Sequence, residues 1–171
     1  MKTVEIKLYK FSELSEEAKE KAINKLYDLN VDYEWWDSVY DDAKNIGLKI
    51  TAFDLDRNRN AEGEFILSAN EVAQNILNEH GEHCETYKTA QSFMNEWQPV
   101  FNNYMDETHK DYESQKSEDK LIDIENEFLK SILEDYSIML QKEYEYLTSE
   151  AAIIETIEAN DYDFTEDGEM Y

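Results

Sequence analysis

An α+β fold is predicted for this chain on three observations. Residues 3–11, TVEIKLYKF, alternate apolar and polar side chains, the period of a half-buried strand. Residues 118–147 keep apolar side chains at helical spacing for about eight turns. Only 4 Gly and 1 Pro occur in 171 residues, so regular elements meet few interruptions. A chain of this length can bury a sizeable core as one domain, or as one domain with an appendage.

Val4, Ile6 and Leu8 share one face of the first strand, with Glu5, Lys7 and Tyr9 on the other. A helix follows. Ser15 is its N-cap, Glu16 and Glu17 suit the positive end of its dipole, and Leu14, Ala18, Ala22, Leu26 and Leu29 form its stripe. Asp32 is the expected cap of a second helix, with Trp36, Val39, Tyr40, Ala43 and Ile46 inward and Gly47 as its stop. Two strands, residues 48–55 and 63–68, join through DRNRNAE. Ser68 and Glu71 have capping-box spacing and open a helix that runs to Gly81. Between Cys84 and Met105 the pattern is again helical, and Pro99 is expected to kink or restart it. The polar residues 106–118 read as a linker before the long helix at 118–147. Ser149 can cap a last short helix, and Asp167-Gly168 is a turn that closes a small hairpin or adds an edge strand. The expected sheet is antiparallel, built from 3–11, 48–55 and 63–68, with the C-terminal segment as an optional edge. The chain divides into an α+β core domain, 1–105, and an acidic helical C-terminal region, 106–171, packed on it.

Charge is the most informative bulk property. The formal net charge is −25, from 41 acidic and 16 basic residues. Residues 1–105 carry 20 acidic and 11 basic residues, net −9, whereas 106–171 carry 21 and 5, net −16. From Glu143 to Tyr171 there are 10 acidic residues and no Lys or Arg. Such a surface repels nucleic-acid phosphates, so direct binding of DNA or RNA is not expected. Its natural partner is a basic protein surface or a cation. One Cys allows no internal disulfide, and no apolar run is long enough to span a membrane. The N-terminus lacks the apolar core of a signal peptide, and a cytoplasmic location is expected.

No complete catalytic motif is present, and no enzyme activity or cofactor is expected. The stretch FDLDRNRNAEGEF begins like a calcium loop, with Asp54, Asp56, Asn58, Asn60 and Glu62 at alternate positions. An EF-hand register from Asp54 puts Arg59 where Gly is needed and Phe65 where the bidentate Glu is needed. A β-hairpin with a polar loop fits better, with weak cation binding by Asp54, Asp56, Glu62 and Glu64 as the alternative. Arg57 and Arg59 are expected to pair with the protein's own acidic surface and fix the loop. EHGEHCE offers His80, His83 and Cys84, but the only other His is His109 and there is no second Cys, so zinc is not expected. The alternative is a helix end and turn around Gly81 with Cys84 buried. Carboxylates around Cys84 oppose a reactive thiolate. Trp35 and Trp36 point about 100° apart on a helix. Trp36 fits the buried stripe, which leaves Trp35, with Tyr33, as a candidate interface contact.

The candidate partner-binding residues are acidic. Glu118, Asp119, Asp123, Glu125, Glu127, Glu134 and Asp135 lie off the long helix's apolar stripe or at its margin, and Glu143, Glu145, Glu150, Glu155 and Glu158 continue the negative field. Carboxylates at regular spacing on a rigid helix can imitate a phosphate backbone and occupy a basic nucleic-acid groove. The plainer alternative is a solubilising surface.

Several segments, YKFSELSEEAKEKAI, VDYEWWDSVYDDA, FDLDR, EHGEHCETYKTAQ and LEDYSIMLQKEYEYLTSEAAIIETIEANDYDFTEDGEMY, together resemble a family of small acidic, mostly uncharacterised phage and prophage proteins, some labelled "antitoxin". The similarity spans nearly the whole chain and supplies no catalytic residues. Where its members have a Gly-containing loop after FDLDR, this chain has NRN. The resemblance implies a phage setting. The expected function is therefore a non-enzymatic, anti-CRISPR-like inhibitor of a host defence nuclease. It would act in the cytoplasm of the host cell on a basic nucleic-acid-binding protein. The alternatives are an antitoxin-like protein that neutralises a basic toxin, or a metal- or Cys-dependent enzyme.

Overall fold

The computed structural model describes residues 5–106 and 112–171, with the side chains of 112–114 excluded. The fold is α+β. The described elements, in order, are β1 (Tyr9–Lys10), a 3-10 turn (Phe11–Glu13), α1 (Glu16–Lys25), α2 (Asp37–Ile46), β2 (Leu48–Asp54), β3 (Asn60–Phe65), α3 (Ala69–Glu79), α4 (Glu85–Met105), α5 (Tyr112–Leu147), α6 (Glu150–Ala159) and β4 (Asp163–Phe164). Contacts gather them into two compact units, Met1–Trp35 with Lys142–Tyr171, and Trp36–Gln141. Contacts therefore do not follow the charge division at residue 105, and α5 contributes to both units.

In the first unit, Ser15 caps α1 by accepting from the Ala18 N–H at 3.2 Å, and Ser149 caps α6 by accepting from Ala152 at 3.3 Å. The two helices share a core of Phe11, Leu14, Ala18, Ala22, Ile153, Ile157 and Phe164. Buried Asn30 fastens this unit's polar side: it donates to the Leu147 carbonyl at 3.0 Å and accepts from the Thr156 hydroxyl at 2.8 Å. Among the described residues of the expected first strand only Tyr9 and Lys10 pair, with Phe164 and Asp163. The Phe11–Glu13 turn ends the strand, its Glu13 carboxylate accepting from the Lys10 N–H at 2.8 Å. Residues 3 and 4 lie outside the described residues. The expected single sheet of 3–11, 48–55 and 63–68 is thus replaced by two two-stranded sheets, β1-β4 and β2-β3.

The C-terminal segment folds back on α1 as a hairpin. Gly168 donates to the Thr165 carbonyl at 3.0 Å, and Thr165 to the Glu169 carbonyl at 2.9 Å. Lys21 pairs with Asp167 at 2.9 Å and Glu169 at 3.1 Å, and Lys25 also pairs with Glu169. The Thr165 hydroxyl and then Lys21 hold the Asp167 carboxyl down to about 2. Glu169 is lowered by Lys25 and Lys21. A depressed acid contributes stability above its unfolded pKa and loses it as pH falls through the folded value. The hairpin should therefore loosen between about pH 4 and about pH 2. The Gly168 amide resonance should move toward its random-coil position in that window, by less in high salt because these pairs are exposed. An unchanged resonance down to about pH 2 would contradict the assignment.

The second unit holds the β2-β3 hairpin, α2, α3, α4 and most of α5. Gly47, at φ +94°, ends α2 in the left-handed conformation. Helix α2 begins at Asp37 rather than behind an Asp32 cap, because the Trp35 N–H bonds back to the Tyr33 carbonyl at 2.7 Å and holds the chain out of helix. This reverses the expected roles of the tryptophans. Trp35 is 8% exposed and packs on Tyr144 at 5.5 Å, whereas Trp36 is half-buried, edge-on to Phe53. Trp35 is therefore not an exposed contact, although Tyr33 is exposed.

β2 and β3 pair from Leu48↔Phe65 to Asp54↔Asn60, with an irregularity between Ile50 and Ala52. β3 begins at Asn60, earlier than expected, because Asp54 accepts from the Asp56 N–H at 2.8 Å and tightens the turn. The Ser68–Glu71 capping box forms as read. Helix α4 runs unbroken through Pro99, against expectation. Its Trp97 and Phe101 rings stack at 4.4 Å around that position, and Phe93 stacks on Phe128 of α5 at 4.2 Å. Helix α5 begins at Tyr112, so residues 112–118 of the expected linker are helical, and residues 107–111 lie outside the described residues; Gln115 donates to Asp119 one turn on at 3.2 Å, and the polarity there marks solvent exposure rather than a loop.

Candidate acidic interaction surface

The structure separates carboxylates with internal work from carboxylates without it. On α5, Glu134 accepts from Arg59 at 2.5 Å. Arg59 also donates to Gln141 at 2.9 Å and to buried Ser137 at 3.2 Å, so the β2-β3 loop is pinned to α5 by its arginine. Asp135 accepts from the Thr89 hydroxyl at 2.6 Å, and its half-burial pushes its carboxyl up. Glu125 accepts from the Trp97 indole at 2.9 Å. These three candidates bind structure rather than standing free for a partner. Glu118, Asp119, Asp123 and Glu127 remain exposed, Glu127 with a loose contact to Lys130 at 3.4 Å.

The FDLDRNRN loop is the hairpin expected. Arg59 fixes it; Arg57 is exposed and, among the described residues, makes no ion pair. Glu64 faces Lys49 across the strands at 3.3 Å. In EHGEHCE, His80 shares a 2.7 Å hydrogen bond with Thr86, and its other ring nitrogen lies 3.7 Å from Asp42. Cys84 is the exposed N-cap position of α4, not the buried residue expected, because the turn at Gly81 carries it outward before the helix begins. Among the described residues no three His, Cys, Asp or Glu side chains come together to hold a metal ion. His109 lies outside the described residues.

In the first unit, Lys10 pairs with Asp161 at 3.0 Å and Asp163 at 2.9 Å, and the hairpin carboxylates take Lys21 and Lys25. Glu150, Glu155 and Glu158 on α6 are exposed, and among the described residues no Lys or Arg pairs with them. Glu143 is half-buried and Glu145 exposed at the end of α5. Packing α1 on α6 adds three carboxylates absent from the candidate set, Glu16, Glu17 and Glu20. They line a groove of about 750 Å³ with Glu150, above Phe11, Ile23 and Ile154. The first-turn position of Glu16 and Glu17 favoured a helix-dipole role, which concealed the shared groove. The α1 spacing Glu16-Glu17-Glu20 was the available signal, but its partner helix was not.

No family model, curated protein or solved structure matches the chain. Among the described residues no helix is long and apolar enough to cross a membrane.

Proposed function

We propose that the chain is a non-enzymatic inhibitor that places an acidic surface in the basic nucleic-acid groove of a defence nuclease, in the manner of an anti-CRISPR protein. The observation that carries this reading is the set Glu150, Glu155 and Glu158, exposed and paired with no Lys or Arg among the described residues, while Asp161, Asp163, Asp167 and Glu169 are neutralised by lysines. A surface left unneutralised in a chain of net −25 attracts a basic partner over about a Debye length and suits a groove built for phosphates. The resemblance to phage proteins motivates the choice of a defence nuclease. Immobilised protein should retain nucleic-acid-binding proteins from a bacterial lysate at low salt and release them at high salt. Glu150→Gln, Glu155→Gln and Glu158→Gln together should weaken that retention roughly 100-fold at about 0.1 M salt. Glu62→Gln with Glu64→Gln should leave it nearly unchanged. Recovery of no nucleic-acid-binding protein sinks the reading.

A further inference from the structure

We propose that the groove between α1 and α6 docks a basic amphipathic helix of the partner protein. This rests on the reading that the acidic surface meets a basic protein, and it says what kind of segment that protein offers. A phosphate mimic needs only charge at suitable spacing. This groove has more: half-buried Ile23 and Ile154, with buried Phe11, form an apolar floor between carboxylate walls. Glu16, Glu17 and Glu20 stand on the α1 side and Glu150 on the α6 side. Among the described residues the only cation lining it, Lys19, is folded onto Glu16 at 2.8 Å. The groove's excess negative charge therefore stays unmatched from within.

The dimensions favour a helix over a single side chain. A volume of about 750 Å³ holds several side chains at once. Helices α1 and α6 are 10 residues each, so the walls run about 15 Å, the length of nearly three helical turns. A third helix laid along two others is an ordinary packing solution, at interaxial distances of about 8–10 Å. It would set two or three apolar anchors on the isoleucine floor, one turn apart. Its flanking Lys or Arg side chains would reach the three α1 glutamates on one side and Glu150 on the other. Nucleic acid is repelled by the same walls, and an oligocation without apolar residues leaves the floor uncovered.

The probe is a fluorescein-labelled leucine/lysine peptide of about 14 residues with helical periodicity. Two controls accompany it: a scrambled peptide of identical composition, and oligolysine of equal charge. The full chain should bind the helical peptide about tenfold more tightly than the scramble. Asn24→Trp fills the groove from an exposed position of α1 and should abolish that preference, with an unchanged circular dichroism spectrum confirming the fold. Glu20→Lys, a second exposed change, should weaken the helical peptide about tenfold as well. Glu62→Gln with Glu64→Gln, on β3 and outside both the groove and the α6 surface, should leave the preference intact. Equal binding of helical and scrambled peptides, or insensitivity to both Asn24→Trp and Glu20→Lys, overturns the proposal. The two readings fail separately. A lysate that yields no basic partner leaves groove binding of the peptide measurable. Conversely, salt-sensitive capture of a nuclease with no helical preference removes only the groove.

Discussion

Tyr136→Ala should lower the stability of the second unit by about 3–5 kcal/mol, the usual cost of truncating a fully buried aromatic. Tyr136 has no exposed surface and is the largest fully buried side chain. Its hydroxyl donates to Asp42 at 2.7 Å, which ties α5 to α2. Burial, and then Asp42 as acceptor, push the phenol far above its ordinary pKa, so it stays protonated and keeps donating throughout the physiological range. Two effects are therefore removed together, ring packing and one charge-assisted hydrogen bond. Tyr136→Phe separates them. It keeps the ring and should cost only about 1 kcal/mol, because Asp42 is exposed enough to regain water once its donor is gone. Urea denaturation followed by tryptophan fluorescence measures both, since Trp36 and Trp97 belong to the same unit. If the alanine variant fell within about 1 kcal/mol of the phenylalanine variant, Tyr136 would not be the packing anchor that its burial indicates.

Local signals were legible in the sequence and long-range partners were not. Ser15, Ser68 and Ser149 cap the helices they were expected to cap, because a cap is a contact between residues three apart. The alternation at 3–11 led to a strand only at Tyr9–Lys10, and Ile6, expected on its buried face, is exposed. It could not say that Tyr9 pairs with Phe164 from the other end of the chain. The tryptophan pair shows how one misplaced boundary propagates. Extending α2 back to Asp32 puts Trp35 and Trp36 on the helix and sends Trp35 outward. A single backbone bond from Trp35 to Tyr33 starts the helix later and turns Trp35 in. The acidic surface follows the same division. Its sign and its C-terminal weight are countable in the sequence. Which carboxylates are already engaged depends on Arg59, Trp97 and Thr89, each far along the chain from the group it serves. Arg59 was the exception. Both loop arginines were expected on the chain's own carboxylates; Arg59 found Glu134, whereas Arg57 makes no ion pair among the described residues.

Gly168→Ala should have the second large effect, about 2–4 kcal/mol against the first unit, through sterics rather than charge. Gly168 sits at φ +82°, where an L side chain is strained by about 1 kcal/mol. A Cβ there would also stand 2.2 Å from the Ala18 carbonyl oxygen and 3.0 Å from its carbon. These are backbone atoms in the first turn of α1, and Ala18 is buried, so they cannot retreat as a flexible side chain would. The hairpin has to move instead. Moving it separates Asp167 and Glu169 from Lys21 and Lys25 and loosens the cover over Phe164, which is fully buried beside Phe11. The comparison with Asp167→Asn decides which force fastens the C-terminus. That variant removes an exposed ion pair, which water and salt screen, and should change stability far less. Thermal unfolding of the two variants side by side should therefore rank Gly168→Ala well below Asp167→Asn. Close approach of Gly168 to α1 is then the fastening, and the lysine pairs steer a hairpin that fits only without a side chain at its turn. The opposite ranking would place the fastening in the ion pairs and make the C-terminus a salt-released strap.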